Sequence, residues 1–215
     1  MEEPRPDRAM ENEFDTLPLW TADAVLELGP GHAVPAACRG SGSPATLRWL
    51  GRSMGLRTGM RLLDSGAGEG GPAELAAREF HVSSVLVDPM YGACLAARRM
   101  FHQPTDVAGG EQLPFPDGTF DAAWSLGVLC TVSDKASVLK ELRRVVRLGA
   151  KVAVLVFVRT VDVLPEQPDG NHFPDQAELE ALMSAAHLGV TQRATLAQFP
   201  DRPQNGRPRS MQSIG

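Results

Sequence analysis

The sequence predicts a single α/β domain with a Rossmann-like, doubly wound and mostly parallel sheet. From Met60 onward, short apolar runs typical of strands alternate with segments in which apolar residues recur at helical spacing. A cluster of glycines stands where the first of these runs meets the helix that follows it. The chain has 215 residues, 43% of them hydrophobic, which suffices for one buried core and not for two full-sized domains.

Helices are predicted where apolar residues recur every three or four positions. The first begins with Ser43 as N-cap and Pro44 in its first turn, and it places Leu47, Leu50 and Met54 on one face. The same spacing predicts four further helices, which cover residues 72–80, 93–100, 134–147 and 176–187.

Strands are predicted where short apolar runs lie between these helices. They cover residues 61–64, 84–88, 106–108, 119–125, 151–158 and 190–197. The run at 151–158 is almost continuously apolar, which is typical of a central parallel strand buried on both faces. Ligands of such a sheet bind at the carboxyl ends of its strands, so the functional residues are expected there.

The two ends of the chain lack this alternation. Residues 1–15 are polar and charged and are expected to be disordered or loosely attached, and the proline-rich residues 199–215 are expected to form a mobile tail. Residues 16–42 mix apolar side chains with glycine and proline, which predicts short packed pieces and not one long element. The predicted organisation is an N-terminal lid segment at 16–42 and a ligand-binding domain at 43–198.

Composition disfavours several classes of partner. A net charge of −5 without long like-charge runs gives no basic surface for a phosphate backbone, so nucleic acid is not expected. No stretch approaches the roughly 20 apolar residues of a membrane span, and the acidic N-terminus does not resemble a secretory signal. The three cysteines form no Cys-x-x-Cys pair, which predicts no metal site and fits a reducing compartment. We expect a cytoplasmic protein without a membrane partner. The oligomeric state stays open, a homodimer included.

The glycine-rich turn at residues 65–71 is the most informative local feature. Its glycines exceed what a tight strand-to-helix turn needs, and they let a ligand approach the backbone closely. Their spacing also satisfies the dinucleotide pattern G-x-G-x-x-G, so spacing alone leaves two ligand classes open. Asp64 separates them, because a carboxylate at the end of the strand would repel a pyrophosphate but suits the positively charged amino group of S-adenosylmethionine.

A second acidic residue, Asp88, ends the second predicted strand. A carboxylate at this position can accept hydrogen bonds from both hydroxyl groups of a ribose. A nicotinamide enzyme would place an acid similarly, so Asp88 supports a nucleoside ligand without naming it. Met90, which follows, fits either an adenine face or ordinary core packing.

Several segments resemble the class I S-adenosylmethionine-dependent methyltransferases. Residues 63–70, Leu-Asp-Ser-Gly-Ala-Gly-Glu-Gly, are similar to the first motif of that family. Residues 111–121, Glu-Gln-Leu-Pro-Phe-Pro-Asp-Gly-Thr-Phe-Asp, are similar to the segment before the fourth strand in its ubiquinone/menaquinone-type branch. Residues 144–152 resemble the family's turn into the fifth strand, and residues 70–73 resemble the small-molecule and natural-product methyltransferases.

The resemblance implies that S-adenosylmethionine is the cofactor, that S-adenosylhomocysteine is the product and that a small molecule accepts the methyl group. It places the methionine part of the cofactor at the first motif, the ribose at the second strand, the adenine beside residues 110–112 and the methyl group near the end of the fourth strand. The residues that it assigns to cofactor binding are Asp64, Ser65, Gly66, Ala67, Gly68, Gly70, Asp88, Pro89, Met90, Gly110, Glu111, Gln112, Ser125, Leu126 and Gly127. It assigns no catalytic residue.

Two segments remain to cover the acceptor, namely the lid segment at 16–42 and the loop at 161–174. Trp20 could offer an apolar surface to the acceptor or to the core. If the lid is formed by 16–42, residues 1–15 should be dispensable. His172 is a candidate to touch the acceptor, although a surface histidine is the commoner case, and Cys130 more often serves as a small apolar filler.

Two alternatives stay open. A protein of the same fold could bind S-adenosylmethionine or its demethylated product without methyl transfer, as a regulatory or structural subunit. Three departures from the family motivate this. Ala108-Gly109-Gly110 stands where many relatives have Gly-Asp-Ala, and Thr131 stands where a histidine is common. The proline-rich residues 199–215 also offer no counterpart of the family's usual last antiparallel strand. A nicotinamide-dependent oxidoreductase is the other alternative.

Overall fold

The computed structural model describes residues 6–38, 40–162, 164 and 170–199, with the backbone alone for 6–12. Its five strands are β1 (Arg61–Ser65), β2 (Ser83–Asp88), β3 (Thr105–Val107), β4 (Phe120–Leu126) and β5 (Val146–Leu155). Its α-helices are α1 (Pro6–Leu28), α2 (Ala33–Ala36), α3 (Pro44–Met54), α4 (Gly71–Phe80), α5 (Tyr91–Phe101), α6 (Lys135–Val145) and α7 (Gln176–Ala185). Short 3-10 helices lie at Pro30–His32 and Leu196–Gln198.

The five strands form one parallel sheet in the order β3-β2-β1-β4-β5. The chain moves outward from β1 to β3 and then returns to the other side of β1 with β4. In the register, Asp64 lies opposite Leu86 of β2 and Trp124 of β4. This reversal is the topological switch point at which doubly wound sheets bind ligands. The Rossmann-like prediction is confirmed.

Helices cover both faces of the sheet. Successive strand residues point to opposite faces, so Leu62 joins the core under α3 and α4, whereas Leu63 joins the core under α6 and α7. The predicted cap is present at α3, where the Ser43 hydroxyl accepts a hydrogen bond from the backbone N–H of Thr46. Among the described residues, no helix combines the length and apolar character needed to cross a membrane.

The N-terminal region differs from its prediction. One continuous helix, α1, begins at Pro6 and runs to Leu28, so the expectation of short packed pieces over 16–42 is wrong for its first half. The helix is also present where loose attachment was expected, except for residues 1–5, which lie outside the described residues. Tertiary packing explains the difference, because α1 buries Ala22 and Val25 while packing against α5. Trp20 is 63% exposed and contributes nothing to the core.

The carboxyl-terminal part of the sheet also differs. β5 lies at the edge of the described sheet, with β4 as its one neighbour there, so the prediction of a central strand at 151–158 is wrong. Residues 190–197 form no strand either; they run from α7 toward α3, where the ring of Phe199 lies 5.5 Å from that of Trp49. Apolar side chains favour a strand, but a strand also needs a hydrogen-bonded neighbour, which local sequence does not reveal. Residues 200–215, the rest of the predicted tail, lie outside the described residues.

Candidate active site

The glycine-rich turn wraps around the carboxyl end of β2. Gly66, Gly68 and Gly70 all have positive φ angles, of 75°, 53° and 80°, which residues with a side chain rarely adopt. The backbone N–H groups of Gly66 and Ala67 both donate to the carbonyl oxygen of Val87, at 2.8 and 3.0 Å. The turn therefore needs glycine for its own conformation, independently of any ligand.

The carboxylate of Asp88 joins this turn to the end of β2. Its Oδ2 accepts a hydrogen bond from the Gly68 N–H at 2.8 Å, and its Oδ1 accepts one from the Met90 N–H at 2.9 Å. Burial raises the pKa of Asp88, these two bonds oppose the increase, and the nearby carboxylate of Asp15 adds to it. Each carboxylate oxygen can accept a second hydrogen bond, so Asp88 retains the capacity to hold ribose hydroxyl groups.

Asp64, at the end of β1, is 1% exposed, and its Oδ2 has no hydrogen-bond partner in the described structure. Burial is the main cause of a pKa of about 7 at Asp64, and the negative charge of Asp88 contributes to this increase. The indole N–H of Trp124 opposes this increase, although its Nε1 makes no hydrogen bond of normal geometry. A buried carboxylate without a partner is costly, so this position suits a positively charged ligand group.

Further polar atoms without a hydrogen-bond partner in the described structure lie at the ends of β1 and β4. The hydroxyl groups of Ser65 in β1 and Ser125 in β4, both fully buried, make no hydrogen bond to the described residues. Buried polar atoms are normally satisfied in native proteins. Their concentration at the switch point, next to Asp64 and the indole nitrogen of Trp124, fits a polar ligand that supplies the missing partners. S-adenosylmethionine has the required cationic and hydrogen-bonding groups.

The remaining predicted residues reach the same edge of the sheet. Gly110, in the loop after β3, lies beside Ser65, since a Cβ at Gly110 would be 3.2 Å from the Ser65 hydroxyl oxygen. Pro89 and Gln112 are exposed, whereas Glu111 is half-buried. Leu126 is different, because its side chain is buried in the core under α3 and α4. It can offer a ligand only its backbone.

The site is contacted by residues 37, 38, 40 and 41, which we call the covering segment. The sequence analysis placed these residues only within the broad lid at 16–42. Arg39, between them, lies outside the described residues. The Gly71 N–H donates to the carbonyl oxygen of Ala37, and a Cβ at Gly71 would be 2.5 Å from that oxygen. A Cβ at Gly127 would be 2.6 Å from the carbonyl oxygen of Gly40. These two glycines therefore also serve as contact points for the covering segment, a role that the sequence motif did not reveal.

The thiol of Cys38 lies in the covering segment, near the acidic groups of the site. Burial, with the charges of Asp64 and Glu69, raises the pKa of Cys38 to about 12. The thiol therefore stays protonated at neutral pH and is no nucleophile. Val128 was also missed by the sequence analysis. Its side chain covers Gly66 so closely that a Cβ there would overlap it.

A cavity of about 390 Å³ opens beside the loop after β4. Its lining includes Lys135, His172, Glu178 and Leu182. The backbone N–H of His172 donates to the carbonyl oxygen of Cys130 at 2.8 Å, so the loop after β5 contacts the loop after β4. Burial raises the pKa of Cys130, which agrees with its interpretation as a packed thiol. Of the loop at 161–174, residues 163 and 165–169 lie outside the described residues.

Comparison with known proteins identifies the family. A family profile described as a methyltransferase domain matches residues 63–154. The chain is 33% identical over 124 residues to 27-O-demethylrifamycin SV methyltransferase of Amycolatopsis mediterranei, covering 51% of this chain and 44% of that protein. It is 30% identical over 167 residues to 2-methyl-6-phytyl-1,4-hydroquinone methyltransferase of Synechocystis, covering 68% and 50%.

A solved structure shares the fold. The cyclase SpnF superimposes with a TM-score of 0.60 at 26% identity, over 66% of this chain and 56% of that one. The chain spans about half the length of the two methyltransferases it matches. The parallel sheet, the acidic and glycine-rich first motif and the matched domain agree with one another. The matched domain belongs to the class I S-adenosylmethionine-dependent methyltransferase family.

Proposed function

We propose that this chain transfers the methyl group of S-adenosylmethionine to a small-molecule acceptor. The observation that carries the proposal is the buried carboxylate of Asp64 at the switch point, whose Oδ2 has no hydrogen-bond partner among the described residues. A dinucleotide would bring a pyrophosphate to this turn, where a carboxylate repels it. The amino group of S-adenosylmethionine is cationic and gives the carboxylate its missing partner. The family match supports the same cofactor.

The chain's own residues would bind and orient the cofactor. Asp64 would hold the amino group, Asp88 the ribose hydroxyl groups, and residues 110–112 would lie beside the adenine. Ser125 and Gly127 would flank the reacting methyl group at the end of β4. The bound cofactor supplies a methyl group on a positively charged sulfur, which is already activated for displacement. The protein therefore contributes mainly orientation and the exclusion of water.

The acceptor would enter beside the loop after β4. The cavity lined by Lys135, His172 and Glu178 has the size of a small-molecule site and adjoins the loop after β4, to which the His172 backbone is hydrogen-bonded. The two methyltransferases named above carry the names of small organic acceptors, which supports the same class here. The net charge of −5 disfavours nucleic acid. A cytoplasmic location is supported by the three free cysteines.

Two measurements test the proposal. Calorimetry with S-adenosylmethionine, S-adenosylhomocysteine and NAD should show binding of the first two and none of the third. Incubation with tritiated S-adenosylmethionine and a metabolite extract should then label a small molecule. Binding of NAD alone would refute the cofactor assignment. Cofactor binding without any transferred label, from extracts that a known methyltransferase labels, would favour the non-catalytic alternative.

A further inference from the structure

The N-terminal helix α1 docks on the first turn of α5, directly beside the predicted ribose site. Asp15 of α1 accepts a hydrogen bond from the backbone N–H of Gly92, with its Oδ1 at 2.5 Å. Met90, the N-cap residue of α5, makes no side-chain capping bond, so Asp15 caps this helix from a distant part of the chain. A Cβ at Gly92 would overlap the carbonyl oxygen of Asp15, which means that only glycine allows this approach.

The same end of α5 also binds Asp88, since the Met90 N–H, two residues before Gly92, donates to the Asp88 Oδ1. The charge of Asp15 contributes to the raised pKa of Asp88, whose two oxygens are held by the N–H groups of Met90 and Gly68. The Gly92 N–H engages the Oδ1 of Asp15, and a carboxylate can accept further hydrogen bonds on both of its oxygens. Two carboxylates held at the same end of a helix repel each other, and hydrogen-bond donors between them relieve the repulsion. The hydroxyl groups of a ribose are such donors.

We propose that Asp15 is a second cofactor-binding acid, which accepts a hydrogen bond from a ribose hydroxyl group while Asp88 holds the other. This inference rests on the proposed function. It makes α1 a part of the cofactor site, and it replaces the expectation that residues 1–15 are dispensable. Asp15 then has two roles, because one oxygen caps α5 and the other receives the ligand.

The structural role and the binding role respond differently to substitution. Asp15→Asn keeps a side-chain oxygen for the Gly92 N–H, and asparagine caps helices as well as aspartate does. It removes the charge and replaces the second oxygen by an NH2 group, which donates hydrogen bonds and cannot accept one from a hydroxyl group. Asp15→Ala removes both functions. Asp23→Ala is the matched control, because Asp23 also joins α1 to α5 through an ion pair with Arg99 at 2.5 Å.

The experiment measures dissociation constants by calorimetry for S-adenosylhomocysteine and for its 2′-deoxy and 3′-deoxy analogues, with thermal unfolding as the check on folding. We expect Asp15→Ala to weaken binding of S-adenosylhomocysteine about tenfold, Asp15→Asn to weaken it severalfold, and Asp23→Ala to leave it unchanged. For one of the two deoxy analogues, wild type and Asp15→Ala should bind equally, since the hydroxyl group that Asp15 holds is missing.

Two results would overturn the inference. One is unchanged binding of S-adenosylhomocysteine by both Asp15 variants. The other is an equal loss for S-adenosylhomocysteine and both analogues, which would show that Asp15 only docks the helix. If the wild-type protein failed to bind S-adenosylhomocysteine at all, the proposed function itself would fail, and this inference with it.

Discussion

Replacing Asp64 by asparagine tests the carboxylate at the centre of the site through the stability of the protein as well as through binding. Burial raises the pKa of Asp64 from 3.8 to about 7, so the folded state holds this proton more tightly than the unfolded chain does. The stability contributed by the protonated group is complete below the unfolded pKa of 3.8 and is lost as the pH rises to about 7. A shift of roughly three pKa units corresponds to about 4 kcal/mol.

Asp64→Asn removes this dependence because asparagine does not ionise. The difference in unfolding free energy between variant and wild type should therefore increase by up to about 4 kcal/mol between about pH 4 and about pH 8, in favour of the variant. Denaturant unfolding followed by circular dichroism at several pH values measures it. Asp106→Asn, at an exposed carboxylate of β3 in the same sheet, is the control and should leave the pH dependence unchanged. A difference for Asp64→Asn that is flat with pH would refute the reasoning.

Cofactor binding gives an independent measure of the same group. A bound ammonium group favours ionised Asp64, so binding below about pH 7 should release a proton from the wild type. Calorimetry in buffers of different ionisation enthalpy counts that proton. The Asp64→Asn variant should bind S-adenosylmethionine more weakly and release fewer protons on binding. Proton release that persists in the variant would assign the proton to another group.

The other predictions concern the turn, the covering segment and the tryptophans. Asp88→Ala should weaken S-adenosylmethionine binding about 10- to 100-fold in calorimetry, because buried ribose hydroxyl groups lose their acceptor, and unchanged affinity would remove Asp88 from the site. Gly71→Ala should displace the covering segment and so lower both the melting temperature and the cofactor affinity. Gly189→Ala is the control, because a Cβ at Gly189 would meet no atom within 4 Å, and it should change neither quantity. Equal effects of the two variants would contradict the contact. Cofactor binding should alter the fluorescence of buried Trp124, which lies opposite Asp64, and not that of exposed Trp20. A fluorescence response that survives Trp124→Phe would contradict a cofactor site beside Trp124.

The sequence by itself determined the fold class and the position of the site. The helix that Ser43 caps and the turn after Asp64 could be predicted because their causes are local. A capping hydroxyl serves a backbone group three residues away, and positive φ angles at Gly66 and Gly68 demand glycine at those places. Parallel strands end at one edge of the sheet, so Asp64 and Asp88 were expected together once the alternation of strands and helices was recognised.

Only the tertiary structure decided which groups meet across the chain. Asp15 and Gly92 are 77 residues apart, and their contact depends on how α1 docks against α5. Gly92 looks like any helical glycine in the sequence, and nothing local indicates that a carbonyl oxygen occupies the place of its side chain. The same holds for β5, whose apolar residues predict a strand but not whether a neighbour lies beside it. Local sequence sets the preferences of the backbone, whereas contacts between distant segments depend on the packing that excludes water around all of them.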